Sequence, residues 1–189
     1  VVCDYGQILS SAALGRSRLG GINLHASLLP RYRGAAPINW AIYEGCSETG
    51  VTVIHMTPRL DAGPRLVQRP VAIQPGESAI QLEQRLAEIG VAAIHAALEQ
   101  LMAWDGHSDI GLPQTAADAT RAPRLKKSDG DVDWSRSAVQ IANQVRAFKP
   151  WPGTYSYWLR TDREPLRVVL DDVAPCPVPP PFGAASPGT

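Results

Sequence analysis

The stretch Gly21-Ile22-Asn23-Leu24-His25-Ala26-Ser27-Leu28-Leu29-Pro30-Arg31-Tyr32-Arg33-Gly34 decides the reading of this chain. Ile22 and Leu24 alternate with polar neighbours, the pattern of a strand over 22–24. Residues i and i+2 of a strand project to the same face, so Asn23 and His25 stand side by side. The run from Ser27 to Gly34 then turns the chain over the C-terminal end of that strand. Open α/β sheets hold their ligands at such ends. An imidazole exchanges protons near neutral pH, and an amide can stabilise an oxyanion. Met alone, an Asn and a His two apart on a strand are more often structural than catalytic.

Working outward, Val1-Val2-Cys3 reads as a short strand, and a helix is expected over 7–14. Pro37 opens a helix through Glu44 as its first-turn proline, with Gly45 as the stop. The β-branched run 51–56 is a buried strand. A loop over 58–64 holds Asp61 and Gly63. A further strand over 66–73 carries Pro70, which places it at an edge or a bulge. The strands over 1–3, 22–24 and 51–56 are expected to run parallel, so that His25 and Asp61 leave adjacent strand ends. A long helix over 78–102 shows the stripe Leu82, Leu86, Ile89, Ala93 and Ala97, widened by Ile94, Leu98 and Leu101. The fold class is α/β.

Residues 1–104 form the first domain in this reading, 105–132 a polar, turn-rich linker, and 133–189 the start of a second domain. The second domain opens with an amphipathic helix over 135–148. Strands over 154–159 and 166–173 follow, separated by a charged turn at 160–164. Five prolines between 175 and 181 exclude a central strand there. Trp40, Trp134 and Trp151 are expected to be packing anchors, and His55 a hydrogen-bonded interior residue. Val1 sits inside a strand-like run, so the chain is expected to be a piece of a longer polypeptide that folds poorly alone.

The 189 residues are 44% apolar, which suits a packed core. Eighteen basic residues balance eighteen acidic ones, so net charge gives no case for nucleic-acid binding. Cys3, Cys46 and Cys176 are far apart, which excludes a spaced zinc motif and fits a reducing cytosol. No unbroken apolar run reaches the roughly 18 residues of a membrane span, and no signal-peptide pattern opens the chain.

Asn23-x-His25-x-Ser27-Leu28-Leu29-Pro30, followed by Arg33-Gly34-Ala35-Ala36-Pro37-Ile38, resembles the signature of the folate-dependent formyltransferases. Asp133-Trp134-Ser135-Arg136 and Val145-Arg146-Ala147-Phe148-Lys149-Pro150-Trp151-Pro152-Gly153-Thr154 resemble the start of the C-terminal domain in the branch that acts on methionyl-tRNA. The resemblance implies the C-terminal half of a Rossmann-like catalytic domain, then the start of an OB-like barrel. It implies that Asn23 donates to the formyl oxygen, that His25 supports the oxyanion and moves a proton, and that Asp61 is the third catalytic residue. Ser27, Leu28, Leu29 and Pro30 match a folate-contacting loop, and Ile8 and Leu9 match positions facing the pterin ring. The implied co-substrate is 10-formyltetrahydrofolate, with no metal. The implied partner is initiator methionyl-tRNA, in a cytoplasmic enzyme that is a monomer at full length. Alternatives are a sugar-nucleotide formyltransferase, a formyltetrahydrofolate hydrolase, or a non-catalytic folate- or tRNA-binding remnant.

Overall fold

The computed structural model describes residues 1–5 and 9–176. Its elements are β1 (Val2–Cys3), α1 (Ser11–Leu14), β2 (Ile22–His25), β3 (Arg33–Gly34), α2 (Pro37–Tyr43), β4 (Glu48–His55), β5 (Arg65–Ala72), α3 (Ala79–Ala103), β6 (Arg121–Ala122), α4 (Ala138–Ala147), β7 (Thr154–Arg160) and β8 (Arg163–Leu170). Four strands form the main sheet in the order β1, β2, β4, β5. The expected parallel pairing holds between β1 and β2. It does not hold beyond: β4 runs antiparallel to β2, with His25 opposite Thr52 and Ile22 opposite His55, and β5 runs antiparallel to β4. Apolar alternation marks a strand but carries no sign of its direction. Pro70 lies on β5, which ends the sheet order, as a residue without an N–H requires.

Local signals set the helix limits. Pro37 occupies the first turn of α2, and Gly45, at φ +74, follows its C-cap Glu44. Ser78 and Gln81 close a capping box at the start of α3. Leu82, Leu86, Gly90, Ala93, Ala97 and Leu101 are buried along one face of α3, and this helix packs on β4 and β5. Burial of Leu82 and Leu86, 0% and 2% exposed, stabilises by roughly 1.5–3 kcal/mol each. Gly90 falls where the apolar stripe predicts a side chain. A Cβ there would stand 2.6 Å from Leu24 Cδ2, so a glycine lets α3 approach β2. Leu24 therefore faces α3, and Asn23 and His25 leave the opposite face. By length and apolar content α3 could cross a membrane. Its buried stripe on the sheet and its exposed Glu83, Gln84, Glu88 and Glu99 make it a covering helix instead.

The stretch 105–132 is stitched to the sheet. Leu112 exchanges two backbone hydrogen bonds of 2.8 Å with Arg65, and β6 pairs parallel with β3. Ala122 is 0% exposed, and a Cβ on Gly34 would stand 2.4 Å from its carbonyl oxygen. Gly34 also sits at φ +126, so both space and backbone demand glycine there.

Helix α4 docks on α2. Phe148 is buried, stacks on Tyr43 at 5.1 Å and meets Trp40 edge-on at 5.8 Å. Asn39 donates to the Ala147 carbonyl at 2.7 Å. Trp40 is thus an anchor, whereas Trp134 and Trp151 are 46% and 49% exposed and are not. Strands β7 and β8 form an antiparallel hairpin whose turn is tighter than the expected 160–164, because Arg160 and Arg163 pair. Among the described residues these strands form a two-stranded sheet rather than a closed barrel. The expected proline-rich end beyond residue 176 lies outside the described residues.

Candidate active site

His25 is the last residue of β2 and is 6% exposed. Its Nε2 lies 2.8 Å from the Tyr32 carbonyl oxygen. A carbonyl only accepts, so Nε2 carries a hydrogen and donates it. Nδ1 is then the ring nitrogen that faces the neighbouring carboxylate. It lies 3.6 Å from Asp61 Oδ2, and the carboxylate is 9% exposed. The carboxylate also accepts the Gly34 N–H at 2.9 Å.

The expectation that Asp61 and His25 leave adjacent strand ends needs correction. Because β4 is antiparallel to β2, its C-terminal residue His55 pairs with Ile22, away from His25. The 56–64 loop folds back to bring the carboxylate to the imidazole. Three features hold that fold. Asp61 takes the left-handed φ of +48, which Asp tolerates. A Cβ on Gly63 would stand 1.8 Å from the His55 carbonyl oxygen, so the loop lies flat against β4. Gln114 donates to the Asp61 and Gly63 carbonyls at 2.8 and 2.7 Å.

Asn23, His25 and Asp61 line one cleft of about 650 Å3, together with Gly34, Lys149 and Trp151. That volume falls in the range of cofactor-sized ligands. Ser27, Leu28, Leu29 and Pro30 are not brought to this cleft with them. Ser27 and Leu29 are 0% and 1% exposed. Ser27 Oγ donates to the Arg31 carbonyl at 2.6 Å, and Thr52 Oγ1 bonds both the Ser27 carbonyl and the Leu29 N–H. The Leu29 carbonyl accepts from Arg65 and Gln68. These residues lock the turn after His25 into the sheet. Leu9 is half-buried and also outside the cleft lining, and Ile8 lies outside the described residues. His55 bonds the Leu19 carbonyl at 2.9 Å and packs on Trp104, as expected of an interior histidine.

Two residues of the site were not read from the sequence. Tyr32 holds a left-handed φ of +62, which is strained for an aromatic residue. Thr120 Oγ1 accepts its N–H at 2.8 Å, and its hydroxyl meets Glu44 and Cys46. Burial, then these two hydrogen bonds, push the phenol well above its ordinary pKa, so it stays neutral. This over-determined residue aims its carbonyl at His25. Gln114 is the other. Among the described residues no three His, Cys, Asp or Glu side chains gather as metal ligands.

A buried imidazole, a neighbouring carboxylate and an amide share one cleft at a strand end of an α/β sheet. Residues 1–98 match the family model described as formyl transferase, and residues 124–175 match the formyl transferase C-terminal domain. The chain belongs to the formyl transferase family. It is 48% identical to the methionyl-tRNA formyltransferase of Rhodopirellula baltica over 92% of this chain and 53% of that protein. It is 42% identical to that of Acidiphilium cryptum over 100% of this chain and 57% of that protein. The chain thus spans about half the length of the curated relatives it matches. Among solved structures, a sugar N-formyltransferase from a Shewanella species shares the fold with a TM-score of 0.67 at 19% identity, covering 90% of this chain and 67% of that one. HypX from Aquifex aeolicus in complex with tetrahydrofolic acid shares it with a TM-score of 0.60 at 23% identity, covering 71% of this chain and 23% of that one.

Proposed function

We propose that this chain carries the reacting centre of an enzyme that moves the formyl group of 10-formyltetrahydrofolate to the amino group of initiator methionyl-tRNA. The observation that carries the reading is the convergence of Asn23, His25 and Asp61 on one cleft in a chain of this family. The amine attacks the formyl carbon, a C–N bond forms, and the carbonyl oxygen becomes an oxyanion. The folate nitrogen then leaves with a proton, and the amine loses one.

Asn23 donates to the oxyanion, an interaction whose removal typically costs on the order of 10²–10³ in rate. Nδ1 of His25 takes the amine proton and returns it to the leaving nitrogen, while its Nε2–H stays on the Tyr32 carbonyl. Asp61 stabilises the imidazolium formed between those steps. Ser27, Leu28, Leu29 and Pro30 act by fixing the turn after His25. The folate lies along the cleft that Asn23, His25 and Asp61 line. Similarity to named methionyl-tRNA enzymes favours the tRNA substrate over an amino sugar. The enzyme works as a monomer in the cytoplasm.

The test offers the complete natural polypeptide carrying these residues 10-formyltetrahydrofolate with either methionyl-tRNA or a nucleotide-linked amino sugar. Formylmethionyl-tRNA is the expected product, and the amino sugar stays unmodified. The reverse outcome overturns the reading.

A further inference from the structure

Gln114 lies between the two stretches that match family models, residues 1–98 and 124–175. Both ends of its amide are engaged. Nε2 donates to the Asp61 carbonyl at 2.8 Å and the Gly63 carbonyl at 2.7 Å. Oε1 accepts from Arg33 Nε at 3.1 Å and Nη2 at 2.6 Å. Arg33 pairs with Arg121 across β3 and β6, and the neighbouring Gly34 N–H holds the Asp61 carboxylate. One planar amide therefore clamps two chain segments. One carries Asp61, and the other leads from His25 through Tyr32.

We propose that Gln114 is a positioning residue, which sets the Asp61 carboxylate against Nδ1 of His25 and thereby the rate of the chemical step. The inference rests on the proposed roles of His25 and Asp61. Holding the Asp61 carbonyl fixes the peptide plane next to its Cα, and with it the direction of the side chain. The His25–Asp61 separation of 3.6 Å is an ion-pair distance already longer than a hydrogen bond, so the placement of the Asp61 backbone decides whether the carboxylate closes on Nδ1 or drifts away. Misplacing a reacting group by about 1 Å can cost on the order of 10²-fold in rate.

The test uses the complete natural polypeptide and the variants Gln114→Ala and Gln114→Glu. Glutamate keeps acceptors for Arg33 but has no N–H for the two carbonyls. Both variants are expected to lower kcat by about 10- to 100-fold, with KM for each substrate within about threefold of the parent. In an Asp61→Asn background the same replacements change kcat by less than about threefold, because Gln114 acts through Asp61. Independently of turnover, amide hydrogen exchange over residues 60–64 speeds up by about tenfold or more in both variants, while the sheet is unchanged. Parental kcat in Gln114→Glu, effects that multiply with Asp61→Asn, or unchanged exchange over 60–64 would each overturn the proposal. A parent that fails to formylate methionyl-tRNA instead refutes the functional reading, and the exchange measurement still judges Gln114.

Discussion

The segments around the cleft and the β7–β8 hairpin invert the usual relation between polarity and burial. Around the cleft, His25, Ser27 and Thr52 are polar and 6%, 0% and 0% exposed. Each has a named partner on the Tyr32, Arg31 or Ser27 backbone. In the hairpin, Trp158, Leu159 and Val169 are apolar and 61%, 77% and 58% exposed, and the two strands are joined mainly by their own ladder. A buried polar group loses water and must be repaid by hydrogen bonds, so one displaced partner is costly. An exposed apolar side chain gives up little when it changes. The lesson is that buried hydrogen bonding is concentrated around the strand end that carries His25, and that its backbone partners come both from the turn that follows and from β4.

A glycine in the first region should therefore matter more than a leucine in the second. Gly34→Ala puts a Cβ against the Ala122 carbonyl and forces alanine into φ +126. We expect it to cost about 1–3 kcal/mol or more in denaturant unfolding. It should also lower kcat, because the displaced N–H no longer holds the Asp61 carboxylate. A variant as stable and active as the parent would break the comparison.

Leu159→Ser should stay within about 0.5 kcal/mol of the parent, although it replaces a large apolar residue with a polar one. Unfolding midpoints of both variants in one experiment set the two regions side by side. A loss of about 2 kcal/mol or more at Leu159 would mean that this hairpin face is covered rather than exposed, and the contrast between the two regions would fail.

What the sequence discloses about this fold follows from how local each signal is. Pro37, Gly45 and Ser78 act within one helical turn, and α2 starts and stops, and α3 starts, at those signals. The side-by-side placement of Asn23 and His25 follows from the period of a strand alone. Strand direction is different: β4 reads the same whether it runs with or against β2, so the antiparallel pairing was hidden. Gly90 was hidden because its role is to have no side chain beneath Leu24. Asp61 could be singled out only through the family resemblance, since an aspartate in a turn is ordinary. Tyr32 and Gln114 were invisible for a related reason. Tyr32 acts through its carbonyl, and Gln114 bonds residues 51 and 53 positions away.

The most direct test of the account compares Asn23→Ala with the parent polypeptide in two measurements, kcat for formyl transfer to methionyl-tRNA and Kd for tetrahydrofolate. If Asn23 acts on charge that develops only in the transition state, kcat falls by about 100-fold or more while Kd stays within about threefold. A kcat near that of the parent, or a loss that appears wholly as weakened folate binding, would contradict the assignment of the strand-end pair as the reacting centre.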